Sequence, residues 1–284
     1  MTQLNLCAIA IWQTMRQEAH QASVEQPLTA RFLDASIISH DDFSTAISSY
    51  LAAKLASAAL SAAAVSDIFK QAIDSNPLIL KQMLRDLLAH KQRDPTCTHH
   101  ITAFLYFKGY HSVQIYRIMH WLWQQKRCLL ASYFQSQLAS QFDVDIHPAA
   151  TLGAGVILDH ATGFVIGETA VIGDDVSIMH NVTLGGSGAY RGDRHPKICR
   201  GVLLSTGAKL FGNIEVGEGA KVGAGSLVLK SVPAHVTVAG VPAKIIGRVK
   251  SAMPALDMDH RIEADIADEE KTLYESISKP CRRL

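Results

Sequence analysis

Between residues 146 and 228 an aliphatic residue returns at nearly every sixth position. The series is Ile146, Leu152, Leu158, Ile166, Ile172, Ile178 and Leu184, then Ile198, Leu204, Leu210, Val216, Val222 and Val228. Four positions after most of them stands a small or aliphatic residue, such as Ala150, Val156, Ala170, Val176, Val182, Ala208 and Ala220. Glycine often follows directly, as in Leu152-Gly153, Ile172-Gly173 and Val222-Gly223. A fixed hexapeptide period predicts a parallel β-helix. Each hexapeptide makes one flat side and three sides close one coil, with aliphatic side chains stacked inside and small residues at the corners. A β-sandwich would show alternation of period two and irregular loops instead.

The period fails twice. From Leu158 to Ile166 the step is eight, which adds two residues near Gly163-Phe164. From Leu184 to Ile198 it is fourteen, which adds eight residues within GGSGAYRGDRHPKI, residues 185–198. Insertions into a solenoid leave the stack as loops on one face, often the binding face. Arg194 and His195 therefore belong to an extruded loop, and arginine there suits bidentate capture of a carboxylate.

Residues 1–142 read as a separate helical domain, rich in Ala, Leu, Gln and Ser and poor in glycine, with room for seven or eight helices. Asn76-Pro77 marks a helix start, a cap before a proline at the first helical position. Gly109 reads as a helix end, and Ser112 as the start of the next amphipathic run. Tyr116, Trp121, Trp123 and Phe134 read as packing residues. Residues 143–249 are the β-helix. Residues 250–284 read as a mobile tail, with seven acidic residues against one arginine between Asp257 and Glu270. The whole is an α+β chain.

The 48% apolar content supplies a core for 284 residues, and the net charge of +1 offers nothing to nucleic acid. Five widely spaced cysteines without a CxxC read as reduced thiols in a cytoplasm. The N-terminus lacks the basic region of a signal peptide, and no stretch approaches the roughly twenty apolar residues of a membrane span.

Because equivalent positions recur every eighteen residues plus insertions, columns can be read from the sequence. His160, His180, Thr206 and Ala224 each stand two residues after a stacked aliphatic position and predict one column. With layers ~4.8 Å apart it spans roughly 14 Å, long enough for an extended acyl-carrier arm with its thioester at the His160 end. Asp145 falls one layer below near the same corner, where a carboxylate would orient an imidazole acting as general base. Asp159 adjoins His160. His180 reads as a polar surface residue, and His99, His100, His111 and His147 as structural.

Further motifs make the chain resemble the serine O-acetyltransferase family over residues 1 to about 250. They are RDP at 93–95, VDIHPAA at 144–150, LDHATG at 158–163, GET at 167–169, VTLGG at 182–186, GDRHPKI at 192–198, GNIEVG at 212–217 and AGVPAKIIG at 239–247. The resemblance implies a left-handed β-helix, assembly as a homotrimer or a dimer of trimers, and acetyl transfer from acetyl-CoA to L-serine in cysteine biosynthesis. It also implies feedback inhibition by L-cysteine and no metal. Its base falls on His160, paired with Asp145. Its acceptor contacts fall on Asp94, Pro95 and Asp159 for the amino end, and on Arg194 and His195 for the carboxylate. Its CoA contacts fall on Gly186, Ser187, Thr206, Ala224, Lys221 and Lys244. It implies a C-terminal peptide that anchors in O-acetylserine sulfhydrylase through a terminal isoleucine. Here Leu284 follows Arg282-Arg283, so a weak or missing complex is expected. Three other readings stand beside it: a hexapeptide acyltransferase with a sugar or xenobiotic acceptor, a γ-carbonic-anhydrase-like metal hydratase, and a non-catalytic scaffold.

Overall fold

The computed structural model describes residues 3–188 and 191–262, with side chains from Ala8 onward. The helices before the solenoid are α1 (Gln3–Glu25), α2 (Ala30–Leu33), α3 (Phe43–Leu55), α4 (Ala62–Ser75), α5 (Pro77–Arg93), α6 (His100–Tyr106), α7 (Lys108–Gln124) and α8 (Cys128–Phe142). Their starts follow local capping chemistry. The Asp42 carboxylate accepts from Thr45 N at 2.7 Å. The Ser61 hydroxyl accepts from Ala64 N at 3.3 Å. Asn76 accepts from Leu78 N at 3.2 Å, with Pro77 at the first helical position.

One boundary differs from the sequence reading. The helix α7 begins at Lys108, so Gly109 lies in its first turn rather than at the end of the helix before. The reason is close approach. A Cβ on Gly109 would stand 1.8 Å from the Leu158 carbonyl oxygen, so only glycine lets α7 press onto the solenoid.

The repeats coil as expected. A first sheet stacks β1 (Val144–Ile146), β4 (Phe164–Ile166), β7 (Thr183–Gly185), β10 (Lys209–Phe211) and β13 (Leu227–Val228). A second stacks β2 (Thr151–Leu152), β5 (Val171–Ile172), β8 (Lys197–Ile198) and β11 (Glu215–Val216). The third stacks β3 (Ile157–Leu158), β6 (Ser177–Ile178), β9 (Leu203–Leu204), β12 (Lys221–Val222) and β14 (Val236–Gly240), and ends on the antiparallel β15 (Ala243–Arg248). All other pairings are parallel. The register joins Leu158, Ile178, Leu204, Val222 and Val238 into one buried file, the stack the six-residue period predicts.

A single hydrophobic cluster runs from the helices into the coil, and polar clamps reinforce it. Asp86, fully buried on α5, accepts from Gly155 N at 2.8 Å and Val156 N at 3.1 Å, and from Arg117 and Gln114 of α7. Arg117 in turn donates to Gly153 O at 2.8 Å. A second clamp joins Arg85, Arg93 and Arg200 to Asp175 at the next corner.

The segment read as the start of a mobile tail is seated for its first part. Residues 253–262, with the short helix α9 (Pro254–Asp257), lie as a strap across the outer face of the third sheet. Ala255 is buried, Ser205 Oγ meets His260 Nδ1 at 3.1 Å, and Lys221 Nζ donates to Arg261 O at 2.5 Å. The outer face of that sheet is apolar at Ile157 and Leu203 and needs cover; α5 and α7 pack on β3, and the strap is tied across β6, β9 and β12. Leu284 and the rest of the tail from residue 263 lie outside the described residues. Among the described residues no helix is long and apolar enough to cross a membrane.

Candidate active site

A cavity of about 370 Å³ opens where the loop after α5 and the start of α7 meet the corner between the third and first sheets; Asp94, Thr96, Tyr106, Lys108, Asp159 and His160 line it. The corner is unusual in its backbone. His160 and Ala161 both have positive φ, 55° and 57°. Two consecutive non-glycine residues in the left-handed region cost energy and persist only where the surroundings impose them. Here the surroundings do. Lys108 Nζ donates to Thr162 Oγ1 at 2.6 Å and to Phe142 O at 3.1 Å, and Gly163 N donates to Asp143 Oδ2 at 3.0 Å. The imidazole of His160 is thereby thrust out of the coil with 73% of its side chain exposed.

The predicted column exists. The ring of His160 meets that of His180 edge-on with centroids 5.8 Å apart, and Thr206 and Ala224 follow in register. Among the described residues no group of three or more potential metal ligands converges.

The expected pairing of His160 with Asp145 is absent within the single chain. Asp145 points outward from the middle of β1 and accepts from Gln135 Nε2 of α8 at 2.7 Å. The carboxylate beside His160 Nε2 is that of Asp159, at 3.7 Å. Asp94 ends α5, and its Oδ1 accepts from Thr96 N at 2.8 Å and Thr96 Oγ1 at 2.7 Å. Its Oδ2 makes no hydrogen bond to another described residue. Pro95 is exposed in this turn and does not line the cavity; it sets the backbone that presents Asp94.

The inserted loop folds back on the corner between the first and second sheets. Arg194 pairs with Glu168 at 2.7 Å, which holds the Glu168 carboxyl below its usual range. His195 is buried. Its Nδ1 accepts from Thr169 N at 3.2 Å, so the proton sits on Nε2, and burial together with the Arg194 charge lowers its pKa. The ring lies against Gly167, where a Cβ would stand 1.9 Å from Nε2. Glu168 and Thr169 belong to the GET motif, whose spacing alone does not mark them as site residues, and no sequence signal separates Lys108 from other lysines.

Four of the six expected donor contacts divide in the same way, and two lie elsewhere. Thr206 and Ala224 belong to the His160 corner. Gly186 packs under His195, and Ser187 sits over Gly212, at the other corner. Lys221 is buried beneath the strap, and Lys244 is exposed beside an apolar cavity at the end of the coil. The acceptor residues, and Thr206 and Ala224 against Gly186 and Ser187 among the donor residues, are therefore split between opposite edges of the first sheet, while Lys221 and Lys244 lie at neither.

A helical domain clamped to a three-sided hexapeptide solenoid, with a histidine heading a column of small residues, defines a protein of the hexapeptide-repeat acyltransferase class. Residues 11–115 match the family described as "Serine acetyltransferase, N-terminal". The chain is 49% identical over 249 residues to the serine acetyltransferase of Salmonella typhimurium, covering 88% of this chain and 91% of that one. Among solved structures, the serine acetyltransferase of Vibrio cholerae superposes with a TM-score of 0.89 at 50% identity, covering 90% of this chain and 100% of the other. That of Neisseria gonorrhoeae in complex with serine gives 0.80 at 45% identity, covering 82% and 96%. The chain belongs to the serine acetyltransferase family.

Proposed function

We propose that this chain transfers the acetyl group of acetyl-CoA to the hydroxyl of L-serine, giving O-acetyl-L-serine and CoA, the first step of cysteine biosynthesis. The observation that carries the reading is the His160 corner. An exposed imidazole, thrust out by a strained and well-tied backbone, stands at the mouth of a cavity bearing the carboxylates of Asp94 and Asp159. Two carboxylates suit the ammonium of an amino acid. His160 takes the hydroxyl proton as the serine oxygen attacks the thioester carbonyl. The C–S bond then breaks, and the departing thiolate recovers that proton from the imidazolium. No metal is needed for these steps.

The carboxylate of serine then needs a cation, and Arg194 with His195 lies across the first sheet. We assign the complete site to two copies of the chain, the His160 corner of one facing the inserted loop of the next, within a homotrimer or a dimer of trimers. In that arrangement Glu168 yields Arg194 to the substrate carboxylate, and Asp145 serves His160 only by leaving Gln135. Relatives support the ligands. A serine acetyltransferase from Brucella abortus was solved with coenzyme A, and another serine acetyltransferase with cysteine. The pocket that takes serine would take L-cysteine as an inhibitor, the thiol standing where the hydroxyl would be. A cytoplasmic location and weak or missing binding of the sulfhydrylase by the Leu284 peptide complete the proposal.

The deciding experiment measures thiol release from acetyl-CoA against a panel of hydroxyl acceptors. Serine should be the preferred acceptor, with millimolar L-cysteine competing against it. Turnover of a sugar or an amino alcohol in preference to serine would overturn the assignment.

A further inference from the structure

The end of α5 is held from outside the cavity. Arg93, the residue before Asp94, is 7% exposed. Its Nη1 donates to Ser177 Oγ at 3.1 Å, and its Nη2 to Asp175 Oδ1 at 3.3 Å. Ser177 is fully buried on β6, and its own proton goes to Ala255 O of the strap at 2.7 Å. With that proton committed, the hydroxyl oxygen is left to accept from Arg93.

Ser177 is also out of place by composition. Along the outer face of the third sheet it pairs with Ile157 on one side and Leu203 on the other, both buried and apolar. A hydroxyl between them is unfavourable unless both of its hydrogen bonds are made. Asp175, by contrast, is shared among Arg85, Arg93 and Arg200 and serves the whole clamp. Only the Ser177 contact singles out Arg93. Asp94 follows at once, its amide donating to His90 O at 3.0 Å as the last turn of α5 closes. The place of the guanidinium therefore sets the place of the Asp94 carboxylate.

We infer that Arg93 is a positioning residue for the acceptor site, held by Ser177 and through it by the strap carbonyl of Ala255, and that it fixes where Asp94 stands relative to His160. The inference rests on the reading of Asp94 as the ligand of the serine ammonium. It makes the strap part of the acceptor site although the strap touches no substrate.

The test compares steady-state kinetics of Ser177→Ala, Arg93→Lys, Asp94→Asn and the double variant Ser177→Ala/Asp94→Asn. Ser177→Ala removes one oxygen and should leave the fold intact, and Arg93→Lys keeps the charge but cannot bridge both partners. Each should raise KM for serine by roughly five- to tenfold and leave KM for acetyl-CoA within about twofold, the size expected for the net loss of one typical hydrogen bond. In the Asp94→Asn background the Ser177→Ala change should add no further rise, because both act through one carboxylate. Equal rises in both KM values, an undiminished effect in that background, or an unchanged serine KM in Ser177→Ala and Arg93→Lys would each overturn the positioning role. A rise for Asp94→Asn without one for the other two overturns it alone. An unchanged serine KM in Asp94→Asn brings down the reading of the acceptor site as well.

Discussion

At the scale of the residue, the corner at His160 carries the most information. Its column was legible because a solenoid turns sequence spacing into stacking, so equal offsets from Leu158, Ile178 and Leu204 become neighbours in space. Its conformation was not legible. The φ of 55° at His160 follows from ties made by Lys108, at the start of α7, and Asp143, at the end of α8, neither of which belongs to the repeat that holds His160. That conformation also selects the variant for testing the base. Asparagine tolerates the left-handed region better than alanine, so His160→Asn removes the imidazole with little backbone cost. Its turnover should fall by roughly 10²–10⁴-fold, the usual contribution of a general base. Titration calorimetry should show CoA binding unchanged. Retention of a tenth of the parent rate would remove His160 from that role.

At the scale of the element, α5 and α7 are mounted on the solenoid by buried charge rather than by apolar contact alone. Asp86 has no exposed surface and receives Arg117, Gln114 and two solenoid amides. Removing one partner of a buried pair leaves the other charge uncompensated, which typically costs about 3–5 kcal/mol. Asp86→Ala is expected to lose stability on that scale in urea unfolding, and Asp86→Ala/Arg117→Met to regain a good part of it. A loss below about 1 kcal/mol would mean that the clamp is dispensable. In the sequence Asp86 looks like any polar residue of an amphipathic helix. Gly109 was misread for a related reason: helix-ending glycines and close-approach glycines share a residue type, and only the Leu158 carbonyl 1.8 Å from its would-be Cβ separates them.

At the scale of the whole molecule, the candidate site is divided between two edges of one sheet, and its two halves should complement each other between copies. Mixing His160→Asn with Arg194→Ala subunits under conditions that allow exchange should restore activity, approaching about a quarter of the parent level for random trimers with heterologous interfaces. No recovery would mean that each site draws both residues from one chain. Acid should loosen the helical domain. Burial lowers the pKa of His111 to about 4 and that of His90 to about 3. Both rings are therefore neutral in the folded chain and take up protons on unfolding once the pH is below about 6.5, so stability is full above that pH and declines as pH falls toward 4. His90 Nε2 has no hydrogen-bond partner among the described residues, so His90→Leu should flatten the acid limb, by at most about 2–3 kcal/mol at pH 4.5. An unchanged acid limb in thermal melts would exclude His90 as its cause. The coil, its insertions and the His160 column are legible from the six-residue period alone, because that period makes stacked neighbours a matter of counting. No spacing in the chain announces that Asp145 is held by Gln135, that Arg194 rests on Glu168 across the sheet from His160, or that residues 253–262 lie across β6, β9 and β12. Those contacts join segments with no common period, and what brings them together is the burial of faces that neither segment can cover alone.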